Sequence, residues 1–185
     1  MKTILLALIA VFAATPAFAA HWNVDYAKSK LGFTVQWSNS PFVAVFKTWK
    51  ADIVFDPADP AHAHVLATVD IASEASDTPD NDDGLKGPQG FQTSHFPTAT
   101  FEATGFAPQG PGKYIANGKL TIRGVVHPVA LPFTLALAGN SAHMIGAAQV
   151  LRTEFGVGQG SEWGGNTPIG RNVVVNVDLV ATKAP

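Results

Sequence analysis

The chain has 185 residues, of which 46% are hydrophobic and only 14% charged, with 17 Gly, 13 Pro, no Cys and a formal net charge of −2. That length encloses one core without cross-links, and so few charges among so many apolar residues exclude a disordered chain. The absence of any Lys/Arg cluster excludes a nucleic-acid footprint, and the missing cysteines exclude disulfides, cysteine zinc sites and a thiol nucleophile.

Residues 1–19 read as a secretory signal peptide. Lys2 supplies the positive start, Ile4 to Ala14 the apolar run, Pro16 the break, and Ala17-Phe18-Ala19 the small residues that a signal peptidase requires. The run falls short of the ~20 residues that span a bilayer. Without a cysteine there is no lipid-modified alternative. The expectation is an exported domain over 20–185.

From there the dominant signal is a period of two, which puts alternate residues on one face of a strand. In chain order the apolar sets are Leu31, Phe33, Val35 and Trp37; a shorter run from Phe46 to Phe55; then Val65, Ala67, Val69 and Ile71. Residues 74–97 break the pattern. The stretch Ser76 to Gly84 is acidic and turn-rich, read as a solvated loop, and the irregular segment from there through Phe96-Pro97 holds at most one or two helical turns. Strand-like runs resume at Thr98–Phe106, Lys119–Val126, Val129–Leu137 and Ala142–Leu151, and the last set is Val173, Val175, Val177, Leu179 and Ala181. Turn residues separate most of them, at Asp56-Pro57, Asp59-Pro60, Pro108–Gly112 and Gly139-Asn140. Asn117-Gly118 also has hairpin chemistry, but a turn there would leave too short a strand after Gly112, so Gly118 is read as a bulge. The fold class is all-β, a single antiparallel barrel of about eight strands whose closure removes its edges.

Several motifs then carry a resemblance. They are Trp22-Asn23-Val24-Asp25, Ser29-Lys30-Leu31-Gly32-Phe33, Val69-Asp70-Ile71-Ala72-Ser73, Phe96-Pro97-Thr98-Ala99-Thr100-Phe101, Gly118 to Val125 followed by Pro128-Val129, and Arg152 to Gly158. In this order and spacing, over about residues 22–182, the chain resembles the YceI-like family of bacterial periplasmic proteins. The resemblance implies a lipocalin-like barrel that holds a polyisoprenoid lipid, an isoprenoid quinone or a prenyl pyrophosphate, with no catalytic activity and no cofactor. It also admits a membrane cytochrome of the b type as partner, and homodimers. Two stretches depart from the family pattern: Ala44 stands at the position of a usual turn Gly, and Asp83 to Phe91 replaces an acidic-histidine stretch.

On that reading the candidate lining residues of an apolar cavity are Phe33, Val35, Trp37, Phe46, Phe55, Phe101, Leu120, Ile122, Leu131, Phe133 and Phe155, each of which would equally serve as ordinary core. Arginine suits bidentate phosphate recognition, so Arg123, Arg152 and Arg171 are the head-group candidates, although a structural role for Arg123 beside its Gly turn is the blander reading. With so few cations, a quinone head suits the chain slightly better than a pyrophosphate.

Competing chemistries find little support. His62 and His64 would share one strand face as metal ligands, but no third ligand is legible, and His95 and His127 sit beside turns. Cleavage after Ala20 would leave His21 as an N-terminal copper chelator only with a second histidine. No Gly-x-Ser-x-Gly or His-Glu-x-x-His occurs, and Gly156 to Gly160 lacks the helix that a dinucleotide site requires. The reading from a different class is an interaction module with a packed core, docking on a membrane through Trp49, between Lys47 and Lys50, and through Trp163.

Overall fold

The computed structural model describes residues 20–160, 163 and 168–185. The leader read at 1–19, and residues 161–162 and 164–167, lie outside them.

The period-two segments form β1 (His21–Val24), β2 (Lys30–Trp37), β3 (Ser40–Phe46), β4 (Trp49–Val54), β5 (His64–Asp70), β6 (Glu74–Ala75), β7 (Thr98–Pro108), β8 (Lys113–Ile122), β9 (Val125–Ala138), β10 (Ser141–Leu151) and β11 (Ile169–Lys183), with one helix, α1 (Pro79–Lys86). All pairings are antiparallel, and three pairs of strands lie end to end. β1 and β2 both lie along β11, with Trp22 opposite Lys183 and Val35 opposite Val173. β4 and β3 lie in turn along β1 and β2, and β5 and β6 along β4 and β3. The result is eight staves in sequence order, closed between the first and the last, an up-and-down barrel.

Each interruption is locally satisfied. Between β1 and β2 the Ser29 hydroxyl accepts the Val180 N–H at 2.9 Å and donates to the Asp25 carbonyl at 2.8 Å. The chain therefore loops out over 25–28 without leaving β11 an unpaired amide. Beyond β11, the β9–β10 ladder ends at Phe133 and Gly146, beside Pro132, which has no N–H to donate. A 3₁₀ turn, Arg152–Phe155, follows β10. Its Glu154 carbonyl lies 3.2 Å from Nε2 of His127, and its Phe155 ring meets the His127 ring edge-on at 5.0 Å.

Several expectations change. The run Lys119–Val126 is two strands, because Arg123 (φ 52°) and Gly124 (φ 73°) make a hairpin turn in the left-handed region. The β7–β8 hairpin does turn before Lys113, but the bulge sits across from Gly118, where Thr104 is the extra residue of β7. Ala44 belongs to no turn: it is buried in β3, and its carbonyl lies against Gly32, where a Cβ would collide with it. The acidic stretch is mostly α1, with Asp82 and Leu85 buried beneath it. His62 lies in a 3₁₀ turn and His64 on β5, so they do not share a strand face; they pair with Asp59 and Glu102 respectively.

Candidate functional site

The inward residues of all eight staves surround a cavity with about 250 Å³ of space, far beyond the ~10–15 Å³ that a single buried water needs. Phe33, Val35, Trp37, Phe46, Phe55, Phe101, Leu120, Ile122, Leu131, Phe133 and Phe155 all line it. So do the alternating sets Val65–Ile71 and Val173–Ala181, while Leu137 falls beyond the cavity and is exposed. Val65, Ala67 and Val69 are only half-buried although their side chains face inward, because the space they face is open. Among the described residues, Thr100 and Arg152 are the only lining residues besides the tryptophans with a polar side chain. An apolar cavity of this kind stays dry and is available to an apolar guest.

Aromatic rings crowd one end. Phe55 meets Phe106 at 5.4 Å and Tyr114 at 5.3 Å, and Tyr114 stacks on Phe133 at 5.4 Å. The indole N–H of Trp22 donates to the Phe55 carbonyl at 2.9 Å and fixes that ring's strand end. At the other end lie α1, the segment that follows it and the loop after the 3₁₀ turn, which send Leu85, Phe91, Val157 and Trp163 onto the cavity.

The two tryptophans read as membrane anchors are wall residues. Trp49 is 8% exposed and lines the cavity in step with Ala51 and Ile53 of β4. Trp163 lines it from the loop and covers Gly84 of α1, where a Cβ would stand 3.4 Å from the ring.

The arginines also differ from expectation. Arg152 is 7% exposed, and its five N–H groups all go to backbone carbonyls: Gly170 from Nε, Val157 and Gly158 from Nη1, Trp163 and Ile169 from Nη2. The irregular register of β11 between Ile169 and Val173 turns two of these carbonyls toward it. Burial, then the nearby charge of Arg171, lowers its pKa. Arg123 donates to the Gly90 carbonyl at 2.6 Å, to Gly156 at 2.8 Å, to Pro88 at 3.4 Å and to Gln92 Oε1 at 3.2 Å. Both are therefore tethers that hold the loops of one barrel end: Arg152 has every N–H committed, and Arg123 has Nη1 committed to carbonyls and Nη2 to Gln92. Arg123 is structural, but through carbonyls and not through an ion pair. Only Arg171 is exposed and without a hydrogen bond or ion pair among the described residues.

One polar residue escaped the sequence reading. Glu74 on β6 is 1% exposed, and neither carboxyl oxygen has a hydrogen-bond partner among the described residues. Burial, then the adjoining charge of Asp82, pushes its pKa up to about 7. Burial works against an ionised Asp82 too, but the Ser76 hydroxyl and N–H, with Lys86 and Lys47 nearby, outweigh it and keep its pKa below the ordinary value. A two-residue strand offers no periodicity, so nothing local in the sequence marks Glu74.

A family model described as the YceI-like domain matches residues 22–181. Among solved structures, BcnA of Burkholderia cenocepacia superposes with a TM-score of 0.83 at 34% identity, over 86% of this chain and 100% of that one. A domain from Saccharophagus degradans, described as polyisoprenoid binding and implicated in plant cell wall breakdown, has a TM-score of 0.70 at 15% identity, over 89% and 99% of the two chains. The UPF0312 protein Shew185_3055 of Shewanella baltica (strain OS185) is 31% identical over 130 residues, 70% of this chain and 60% of that protein's length.

Proposed function

Because this chain belongs to the YceI-like domain family, we propose that it is a non-catalytic carrier that holds a polyisoprenoid lipid inside its barrel. The observation that carries this is the cavity itself, which is open through the barrel interior and apolar on every stave. The Saccharophagus degradans domain with the same fold is described as polyisoprenoid binding, which supports the ligand class. The reading includes export: the leader at 1–19 delivers the barrel to the periplasm.

Burying about forty tail carbons at ~0.8 kcal/mol each would yield ~32 kcal/mol relative to water, beyond the practical ceiling of roughly 18–21 kcal/mol. Ordering the tail and leaving part of it unburied consume the excess. The competing state is a bilayer, so the protein exchanges lipid with membranes and does not trap it. Selection then rests on the length and width of the cavity.

The head group favoured is neutral. A pyrophosphate needs several free donors; Arg152 has all of its N–H groups committed to carbonyls, and Nη1 of Arg123 is held by Gly90 and Gly156. A quinone or a prenol needs one or two donors and no cation. The test is competition for the loaded barrel. A long-chain ubiquinone should displace a bound fluorescent polyprenol at least tenfold more effectively than a prenyl pyrophosphate of equal tail length. The reverse order would overturn the neutral-head reading, and displacement by neither would overturn the carrier.

A further inference from the structure

Glu74 stands opposite Phe46 in the β3–β6 register. Cross-strand partners share a face, so its carboxyl points inward with the Phe46 ring, beneath α1. Asp82 descends onto it from α1, with Ser76 N–H 3.0 Å from each of the Asp82 oxygens. The other charged groups acting on the pair are Lys86 of α1 and, on Asp82, Lys47 from the link between β3 and β4. As a carboxylate, Glu74 would face a second carboxylate with no donor between them. As an acid, it supplies the one proton that both groups can share.

The rest of α1 is arranged as a flap. Its C-terminal side is tethered, by the Phe91 N–H to the Leu85 carbonyl at 2.6 Å, the Arg123 guanidinium to the Gly90 carbonyl and the Gly158 N–H to the Gln89 carbonyl at 2.7 Å. Its underside carries Leu85, which lines the cavity, and Trp163 packs on Gly84. Toward its N-terminus the side-chain attachment runs through Asp82 to Ser76, with the buried Glu74 carboxyl close enough to feel the Asp82 charge.

We infer that the Glu74–Asp82 pair is a proton-dependent latch that holds α1 over one end of the cavity, shut while Glu74 carries its proton and released when the proton leaves. The inference rests on the cavity being the lipid site. The closed flap binds a proton that the open flap, with Glu74 in water, gives up between about pH 4.5 and 7. The opening equilibrium therefore rises about tenfold per pH unit across that window, on the order of 100-fold in all, and levels off above it. Lipid uptake and release follow the same profile.

The test is amide hydrogen exchange of residues 80–86 from pH 5 to 8, with β9 and β10 amides as the internal reference for intrinsic exchange. Uptake of a fluorescent polyprenol from phosphatidylcholine vesicles is followed in parallel. In the wild type, α1 protection relative to the strands should fall with pH and then level off. In Glu74→Gln, whose amide keeps a donor toward Asp82 at every pH, it should stay flat. A carbon-13 titration of the Glu74 carboxyl in the unaltered protein checks the same group without a substitution and should track α1 opening. A flat wild-type profile, an unchanged slope in Glu74→Gln, or a Glu74 titration below pH 5 would overturn the latch. Uptake with no pH slope in α1 overturns the latch alone. A pH slope in α1 with no uptake at any pH supports the latch and overturns the lipid reading.

Discussion

The ring of Phe101 occupies the space that a side chain at residue 118 would need: a Cβ on Gly118 would stand 2.6 Å from the ring. Gly118 pairs with Ala103 across the β7–β8 ladder, next to the Thr104 bulge, and the missing side chain lets Phe101 lie on the wall of the cavity. A Cβ there would also stand 2.6 Å from the Glu102 carbonyl, so Gly118→Val should displace the β7–β8 ladder as well as the ring, at a cost of at least about 1–3 kcal/mol, and narrow the cavity at that level. Urea denaturation should show the loss as a lower midpoint with an unchanged slope.

Ala51 and Ala67 are cross-strand partners on β4 and β5, and both face the cavity. They leave a notch where larger side chains stand elsewhere on the wall. Ala67→Trp should fill that notch, weaken polyprenol binding at least tenfold, and leave the melting temperature unchanged or raised, as cavity filling commonly does. A packed-core protein would instead be overpacked and lose stability with no change in binding.

Arg152 serves five carbonyls from one planar group, a pattern that an ammonium cannot reproduce. Arg152→Lys should cost on the order of 2–5 kcal/mol, because carbonyls near the loop lose their donors in a buried site. Arg171→Gln should stay within about 0.5 kcal/mol of the wild type. Thermal melts of the two variants side by side make the comparison.

Glu74 makes stability fall as pH rises. Between about pH 4.5 and 7 the folded protein holds a proton on Glu74 that the unfolded chain has released, so raising the pH favours the unfolded side. The stabilisation is fully present below pH 4.5. At most about 3 kcal/mol is lost by pH 7, and less if α1 is released before the barrel unfolds. Urea midpoints at pH 5 and 8 should differ in the wild type and converge in Glu74→Gln.

The barrel was legible wherever a strand was long enough to show its period. Leu31 to Trp37 and Val173 to Ala181 read directly as inward faces, because alternation is a local property of the backbone. Trp49, which the alternative reading sets on a membrane surface because lysines flank it, belongs to the wall, since Ala51 and Ile53 continue its period inward. Lys119–Val126 reads as one run across Arg123-Gly124 because its apolar residues continue through the turn. The roles of Arg152 and Glu74 had no local signature. One depends on carbonyls brought from residues 157–170, the other on α1 folding back over a two-residue strand. Such partners are set by tertiary closure, and composition and spacing do not record them.

The most direct measurement is native mass spectrometry of the protein expressed with its own leader, followed by solvent extraction and identification of whatever is released. A one-to-one adduct that yields a polyprenyl compound with a neutral head is the expected result. Protein that is empty from several hosts, and still empty after incubation with long-chain quinones and prenyl pyrophosphates, would contradict the carrier reading at its root.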